Sequence, residues 1–287
     1  MTLAPSADER PVAVVTGATG GIGRWIALGM ARAGHKVILI GRDPARGEAT
    51  RAWIARQVPQ AETELEIADL SLLSATRDVA RRIAARHARI AVLINNAGVF
   101  EAHPIATAEG HDRVLATNLL SPFVLTQELL PLLIAGAPAR IVTVGSSTSD
   151  RARLDPDHLV LGRRWAMQRA YAQSKLAVMM VTFAFARRLE GTGVVANVVH
   201  PGLVATGLVR TGGVIGLVWR ALALTAALSE QQGAVTPLHA ALAPEFASAS
   251  GLYLKDRRAV PPNPAARDRA LGERVWRAVQ GLSERPT

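Results

Sequence analysis

A tyrosine and a lysine stand four residues apart, Tyr171 and Lys175, in a chain that has only two tyrosines and three lysines among its 287 residues. On a helix, residues at i and i+4 share a face, so the phenol and the ammonium would point to the same region. By composition such a pair is expected by chance about 0.02 times in this chain. A cation about 4 Å from a phenol favours the phenolate and lowers the pKa of the phenol towards neutrality. The pair therefore predicts proton transfer, provided that a cofactor and a pocket accompany it.

A second pattern with chemical meaning is the glycine-rich stretch TGATGGIGRW, which places Gly17, Gly21 and Gly23 between an apolar run and a helical one. A turn of this kind lets the backbone approach a pyrophosphate, whose charge lies at the N-terminus of the helix. The stretch predicts a dinucleotide site after the first strand, and we expect Thr19 and Ile22 to contribute to it.

The end of the second apolar run, ILIGRDPARGE, indicates which dinucleotide is bound. Sites for NAD place a carboxylate there to hold the ribose hydroxyls, whereas this chain has Gly41 followed by Arg42, with Arg46 nearby. A guanidinium pairs bidentately with phosphate and therefore suits the 2′-phosphate of NADP. The pattern predicts NADP (NADPH) as the cofactor. The alternative is that Arg42 faces solvent, and Asp43 lies close enough along the chain to form an ion pair with it.

Composition narrows the classes of protein to consider. The chain is 49% hydrophobic and has no cysteine, which excludes disulfides, thiolate catalysis and cysteine-ligated metals. The histidines show no metal-ligand spacing, so we predict no metal site. The net charge of +10 comes from scattered arginines without a basic stripe, so we predict no nucleic-acid partner. Residues 1–10 lack the apolar core of a signal peptide, and we expect a flexible tail and a cytoplasmic location.

Short apolar runs of strand length alternate with longer helical patterns along the chain. Such continuous runs are typical of parallel strands covered on both faces. The runs are VAVVT (12–16), KVILI (36–40), ELEI (64–67), AVLIN (91–95), RIVTVG (140–145) and VVANVVH (194–200). The alternation predicts one α/β domain over residues 11–287, a Rossmann-type doubly wound parallel sheet with helices on both faces.

Two stretches depart from this alternation. Residues 148–168 form a polar insertion between the fifth predicted strand and the Tyr171 helix. Residues 207–230 are apolar but are interrupted by Arg220 and fall short of a membrane span. We expect 207–230 to be a flap on the substrate side over an apolar pocket, or a surface helix that makes peripheral contact with a membrane.

Together the motifs resemble the short-chain dehydrogenase/reductase family, in the family's order and over roughly residues 11–206. They are TGATGGIG, ADL at 68–70, NNAG at 95–98, Asn118, the serine of IVTVGSS, YAQSK and HPGLVAT at 200–206. The stretches GRDPARGE, SKLAVMMVTFAFARRLEGTG and GLYLKDRRAVPPNPAARDRAL are similar to the retinol-dehydrogenase-like branch. That branch is linked to NADP and to lipophilic alcohols and carbonyls.

The resemblance implies a role for each matching residue. Tyr171 is the expected general acid/base, Lys175 tunes it, Ser146 binds the substrate oxygen, and Asn118 holds a water that links Lys175 to solvent. Ser147 is the alternative to Ser146. The implied cofactor contacts are Asp69 and Leu70 near the adenine, Asn96, Ala97 and Gly98 along the dinucleotide, Tyr171 and Lys175, and Pro201, Gly202 and Thr206 at the nicotinamide end.

The sequence thus predicts an NADP(H)-dependent oxidoreductase that interconverts a hydrophobic ketone or aldehyde and its alcohol by hydride transfer. The alternative is a non-catalytic NADP-binding sensor or scaffold on the same fold. The chain departs from the retinol-dehydrogenase-like branch in the spacing from Ser146 to Tyr171 and in the sequence of 207–230, both of which border the expected pocket for a small lipophilic substrate. The resemblance also implies a homodimer or homotetramer formed through the helices that carry Asn118 and Tyr171.

Overall fold

A computed structural model describes residues 10–203 and 228–284, and an eight-stranded sheet lies at its centre. The strand order is β3-β2-β1-β4-β5-β6-β7-β8, and every neighbouring pair is parallel except β7 with β8. The strands are β1 (Val12–Thr16), β2 (Lys36–Gly41), β3 (Thr63–Ile67), β4 (Val92–Asn95), β5 (Ala139–Val144), β6 (Val194–His200), β7 (Tyr253–Lys255) and β8 (Arg258–Val260).

Helices cover both faces of this sheet. They are α1 (Gly21–Arg32), α2 (Pro44–Gln57), α3 (Leu73–Ala84), α4 (Arg113–Ala135), α5 (Met167–Arg188), α6 (Glu230–Gly233), α7 (Val235–Leu242), α8 (Pro264–Arg267) and α9 (Arg269–Ser283). Along β1, Val12 and Val14 join a core with α3, α4, α5 and α9, while Ala13 and Val15 join a core with α1, α2 and α7. The predicted doubly wound sheet with helices on both faces is confirmed.

The six predicted strands all occur, each within one residue of the predicted bounds at either end. Apart from the edge strand β3 (TELEI), their sequences are nearly continuously apolar because side chains on both faces are buried, as the fully buried β1 and β6 show. The β7–β8 hairpin was absent from the prediction. Its strands have three residues each, and its turn places Asp256 and Arg257 at positive φ rather than the glycine that usually signals such a turn.

The strand order reverses between β1 and β4, since the chain runs outward from β1 to β3 and then returns to the other side of β1. In open parallel sheets a ligand binds in the crevice at the carboxyl ends of the strands at such a switch point. The glycine turn follows β1, the NNAG stretch closes β4, and Ser146 follows β5. The topology therefore brings these three predicted motifs to one edge of the sheet.

Helix α4 contains one π-helical turn, Ala116–Leu120, which includes Asn118. Such turns occur frequently at functional sites. By length and composition α4 is also apolar enough to cross a membrane. More than half of its most apolar stretch is buried inside the fold, where Leu119 and Phe123 belong to the core beside the sheet. In this protein α4 packs as a core helix.

Helix α9 covers the outer side of α5, the helix that carries Tyr171. Trp276 stacks edge-on against Phe185 and Phe123, at 4.8 and 4.9 Å between ring centroids. The guanidinium of Arg188 lies 4.0 Å from the Trp276 ring centroid and pairs with Glu273 at 2.5 Å. With α9 in place, residues 173–186 of α5 are all buried within a single chain.

The packing of α9 affects the homodimer or homotetramer that the family resemblance implies, because that assembly would form through the helices that carry Asn118 and Tyr171. A second subunit could contact the outer side of α5 only if α9 were displaced, which would expose the apolar Val275, Trp276 and Val279. The part of that face formed by α5 is therefore covered by the chain's own C-terminal helix, and the assembly itself stays a prediction.

Replacing Trp276 by alanine should lower the free energy of unfolding by about 3–5 kcal/mol, because it removes a buried ring and leaves a cavity between α4, α5 and α9. Urea denaturation followed by circular dichroism measures this change. Arg277→Ala on the exposed side of the same helix is the control, with an expected change within about 0.5 kcal/mol. Equal effects of the two substitutions would contradict the packing described for α9.

Candidate active site

A cleft of about 680 Å³ opens at the carboxyl edge of the sheet, at the switch point between β1 and β4. Its walls come from the segments that follow β1, β2, β3, β4, β5 and β6. The sequence-predicted residues that line it are Gly17, Thr19, Gly21, Ile22, Gly23, Arg42, Asp69, Leu70, Asn96, Ala97, Gly98, Ser146, Tyr171, Lys175, Pro201 and Gly202. Asn118 lies behind the wall, and Thr206 and residues 207–227 of the predicted flap lie outside the described residues.

The glycine turn forms one end of the cleft. Gly17 and Gly21 have φ of +63° and +55°, a backbone conformation that other residues rarely adopt. A Cβ on Gly23 would overlap the carbonyl of Gly17 and lie 2.6 Å from Asn96 Nδ2. Among the described residues no side chain caps the N-terminus of α1 at Gly20, so its amide groups remain available to an anion. The cradle fits the pyrophosphate of a dinucleotide.

Thr16, which the sequence reasoning missed, joins β1 to the NNAG stretch. Its hydroxyl oxygen accepts hydrogen bonds from the backbone N–H groups of Asn96 and Ala97, both at 2.9 Å. The Asn96 side chain donates to the carbonyl of Thr16 at 2.9 Å. These bonds hold the two cofactor-lining segments together. A polar residue at the end of an apolar run, directly before the glycine turn, was the available signal.

The wall at the end of β2 is formed by glycine and arginine. A Cβ on Gly41 would overlap the side chain of Thr19, and a Cβ on Gly20 would overlap the guanidinium of Arg46. Asp43 accepts a hydrogen bond from the backbone N–H of Arg46 at 3.1 Å and caps α2. The carboxylate of Asp43 is thus engaged at the helix terminus, while Arg42 and Arg46 both line the cleft.

Tyr171 and Lys175 lie on the buried face of α5 at the other end of the cleft. The Tyr171 ring packs edge-on against Phe100, with 4.9 Å between ring centroids. The ammonium nitrogen of Lys175 donates to the carbonyl of Val144 at 2.8 Å and lies 5.8 Å from the centroid of the Tyr171 ring. The i, i+4 spacing therefore does bring both groups to one site, as predicted.

Burial has the largest effect on the ionisation of both groups. It raises the pKa of Tyr171, and a hydrogen bond from Ser146 opposes this rise. It lowers the pKa of Lys175 to about 8, because the ammonium loses its hydration inside the core. In the protein alone burial thus shifts the pKa of the phenol upward, whereas the ion pair by itself favours a lowered pKa, and the tuning role of Lys175 stays a prediction.

The geometry distinguishes the two candidate serines. Ser146 is half-buried directly after β5, lines the cleft together with Tyr171, and lowers the pKa of the phenol by hydrogen bonding. Ser147 is exposed on the following turn, although it also lines the cleft. Contact with the phenol favours Ser146 as the serine that would bind a substrate oxygen.

Asn118 supports the site from behind. Its side chain accepts from the backbone N–H of Val99 at 2.8 Å and donates to the Val99 carbonyl at 3.0 Å and to the Ser174 hydroxyl at 3.1 Å. The side chain thereby ties the segment after β4 to α5. Gly98 packs between Asn118 and Lys175, since a Cβ there would lie 3.4 Å from Asn118 Oδ1 and 3.5 Å from Lys175 Nζ.

His200 lies at the end of β6 and lines the cleft. Its Nδ1 accepts a hydrogen bond from the backbone N–H of Gly202 at 2.7 Å, and burial lowers its pKa. This bond shapes the turn through Pro201, in line with the prediction of a pocket residue rather than a base. Within residues 10–203 and 228–284, no group of three histidine, aspartate or glutamate side chains could hold a metal ion.

A dinucleotide cradle and a buried tyrosine–lysine pair in one cleft, at the switch point of a doubly wound sheet, define a nicotinamide-dependent oxidoreductase. The sequence matches the short chain dehydrogenase family over residues 11–212. The chain belongs to that family.

The similar proteins include retinol dehydrogenase 12 of Homo sapiens, 36% identical over 92% of this chain and 84% of that protein. Polyprenol dehydrogenase of Mus musculus is 37% identical over 94% of this chain and 82% of that protein. The resemblance to the retinol-dehydrogenase-like branch is thus confirmed.

Solved structures of the same fold agree with this assignment. An uncharacterized protein from Mycobacterium Paratuberculosis superposes with a TM-score of 0.76 at 29% identity, over 97% of this chain and 96% of that one. A short chain dehydrogenase from Burkholderia cenocepacia in complex with NADP superposes with a TM-score of 0.70 at 27% identity, over 86% of this chain and 96% of that one.

Lys175→Met should stabilise the protein at pH 7 while removing the proposed tuning cation. The drop in the pKa of Lys175 from 10.5 to about 8 corresponds to a cost of about 3 kcal/mol. Loss of the bond to Val144 offsets about 1 kcal/mol of the gain. Because the unfolded chain binds the extra proton, the cost is complete below pH 8 and disappears as pH rises towards 10.5.

Urea denaturation between about pH 7 and pH 10 measures the effect of Lys175→Met, with the exposed Lys255→Met as the control. The stability gap between the Lys175→Met variant and the wild type should be widest at neutral pH and should narrow as pH rises. A gap that is constant with pH would contradict burial of an ionisable amine at this position.

Proposed function

We propose that the protein is an NADP(H)-dependent oxidoreductase that interconverts a hydrophobic ketone or aldehyde and its alcohol, with Tyr171 as the general acid/base. The observation that carries the choice of NADP is the wall at the end of β2, where Gly41 packs against Thr19 and two guanidinium groups line the cleft. The structure of the Burkholderia cenocepacia relative in complex with NADP supports the same choice.

The two arginines differ in how they are held. The backbone of Arg46 is fixed by the Asp43 cap, and its guanidinium lies over Gly20 at the start of α1. Arg42 follows β2 directly and is exposed at the cleft wall. A 2′-phosphate between them would receive two planar donors, whereas the ribose hydroxyls of NAD would find no carboxylate at Gly41.

When bound, NADPH supplies the hydride for the carbonyl carbon. In the direction of reduction, the Tyr171 hydroxyl donates its proton to the carbonyl oxygen, and Ser146 donates a hydrogen bond to the same oxygen as negative charge develops there. Burial raises the pKa of Tyr171 and so keeps the phenol protonated until transfer. The Lys175 ammonium beside it favours the phenolate that remains after the proton has left.

The proposed substrate class rests on the cleft wall and on the relatives. Phe100 and Val99 line the cleft next to Tyr171, and Leu203 lies at its edge with 56% of its surface exposed. An apolar substrate would cover Leu203. The curated relatives are named for retinol and polyprenol, which are lipophilic alcohols. Glu101 and Arg113, paired at 3.5 Å, add a polar section to the same wall.

The proposal includes a cytoplasmic location and peripheral membrane contact through residues 207–230. A homodimer or homotetramer, the assembly that the family resemblance implies, would use a face other than the one that α9 covers. A non-catalytic NADP-binding sensor is the alternative function. Turnover distinguishes it from the enzyme, because a sensor would bind NADPH without consuming it.

Oxidation of NADPH over a panel of lipophilic aldehydes and ketones, followed by absorbance, tests the activity. We expect turnover by the wild type and a loss of at least about 100-fold in kcat for Tyr171→Phe, which removes only the acidic proton. NADPH binding, measured by fluorescence, should stay within about threefold. Turnover that survives in the phenylalanine variant would exclude Tyr171 as the acid, and binding without turnover by the wild type would favour the sensor.

Arg46→Ala should raise the KM for NADPH by about tenfold or more and leave the KM for NADH nearly unchanged, since the guanidinium is proposed to contact only the 2′-phosphate. Arg42→Ala should act in the same direction. Arg56→Ala, on the exposed last turn of the same helix as Arg46, is the matched control and should change neither constant. A parallel loss with both cofactors would mean that Arg46 supports the fold or the pyrophosphate instead.

A further inference from the structure

The turn after β5 places a second hydroxyl against Ser146. Thr148 Oγ1 donates to Ser146 Oγ at 3.1 Å, and the backbone N–H of Thr148 donates to the same oxygen at 3.3 Å. A serine hydroxyl has two acceptor lone pairs and one proton. With both lone pairs occupied by Thr148, the Ser146 proton is directed away from the turn and into the cleft that Ser146 and Tyr171 both line.

We propose that Thr148 is a positioning residue, which occupies the acceptor positions of the Ser146 hydroxyl and directs its single proton into the cleft, to the phenol oxygen of Tyr171 before a substrate binds and to the substrate oxygen afterwards. This inference rests on the proposed function. Thr148 itself is half-buried and lines the cleft. In this arrangement Thr148 donates to Ser146, and Ser146 shares the cleft with Tyr171.

This arrangement of hydroxyls requires the turn after β5 to stay fixed, and contacts within the turn and from the C-terminal part of the protein hold it in place. Ser149 is fully buried, and its hydroxyl donates to the Ser146 carbonyl at 2.6 Å. The side-chain amide of the buried Asn263 donates to the carbonyls of Ser149 and Ala152, at 2.8 and 2.9 Å. These bonds fix the turn from both sides of Thr148.

A second attachment fixes the same turn one residue further on. The Tyr253 hydroxyl, from β7, donates to the carboxylate of Asp150 at 3.0 Å. Rotation of Thr148 away from Ser146 would require either its own rotamer to change or this doubly attached turn to shift. The position of the Thr148 donor is thus set by packing before any ligand binds.

The direction of the effect follows from the hydrogen bonding. A donor to the phenol oxygen favours the phenolate, so a better-oriented Ser146 lowers the pKa of Tyr171. The charged and titratable groups that line the cleft with Tyr171 are Lys175 on its own helix, the paired Glu101 and Arg113, His200 at the end of β6, and Arg42, Arg46 and Asp69 at the cofactor end. Thr148 is uncharged, so replacing it leaves these groups in place.

Thr148→Val tests the proposal, because valine keeps the shape of threonine and removes the hydroxyl. We expect kcat to fall about tenfold while the KM for NADPH stays within about twofold. In alcohol oxidation, which needs the phenolate, the acid limb of the kcat/KM profile should move to higher pH. Thr148→Ser, which restores the donor, should recover the rate to within about threefold of the wild type. Thr63→Val on β3, far from the cleft, is the matched control.

A readout that does not depend on turnover is available because the chain has only two tyrosines. In protein labelled with ¹³C at the ζ carbon of tyrosine, Tyr171→Phe assigns one of two NMR signals to Tyr171. Its titration should shift to higher pH in Thr148→Val and not in Thr148→Ser. If the valine variant does not fold, Thr148→Ala removes the same hydroxyl with less demand on space.

Two results would overturn the inference. One is a hydroxyl-free variant whose rate and Tyr171 titration match those of the wild type. The other is a serine variant as impaired as the valine variant, which would assign Thr148 a packing role. A wild type that turns over no carbonyl compound would refute the proposed function instead, and the NMR titration would still decide whether Thr148 acts on Tyr171 through Ser146.

Discussion

Coverage of both faces of a parallel sheet is the constraint on which the rest of this structure depends. Strands β1 and β6 are buried along their whole length, so neither face of these strands is left for polar chemistry. Polar groups can be used only where the strands end, and the carboxyl edge offers the amide groups of the α1 N-terminus together with the segments after β4, β5 and β6. The cleft follows from the topology before any catalytic residue is considered.

The same coverage sets the electrostatics of the site. Lys175 reaches the cleft from a helix that is enclosed by the sheet, α4 and α9, so its amine loses hydration and its pKa falls to about 8. The ammonium donates to a neutral backbone carbonyl, that of Val144, which replaces only part of the lost hydration. The phenol of Tyr171 is shifted in the opposite direction by the same burial. Burial of the Lys175 amine therefore lowers the stability of the protein while it places the amine beside Tyr171. Such a cost is expected where a charged group is held inside a core for a functional role.

The sequence was sufficient to predict the fold and most of the residues that line the cleft, because both follow from patterns over short stretches of the chain. Continuous apolar runs predicted the six parallel strands, and the glycine spacing predicted the turn into α1. The positive φ at Gly17 and Gly21 and the close approach of Gly23 to the Gly17 carbonyl explain why glycine stands there. The positions of the NNAG stretch, Ser146 and Tyr171 relative to the predicted strands indicated that they share one cleft.

The features that the sequence did not predict depend on contacts between distant segments. The cap of Asp43 on Arg46 and the position of that guanidinium over Gly20 require the start of α2 to meet the glycine turn. The rise in the pKa of Tyr171 on burial depends on how closely neighbouring groups such as Phe100 enclose the ring. Neither feature is encoded in spacing along the chain.

The C-terminal segment shows how far such contacts extend. β7 is only three residues long and α9 packs on the far side of α5, yet Tyr253 and Asn263 between them hold the turn that carries Ser146. Helix α9 anchors this segment through Trp276, and it also occupies the side of α5 that a second subunit would need. A single C-terminal segment thereby performs two tasks, closing the core behind Tyr171 and fixing in front of it the turn that carries Ser146.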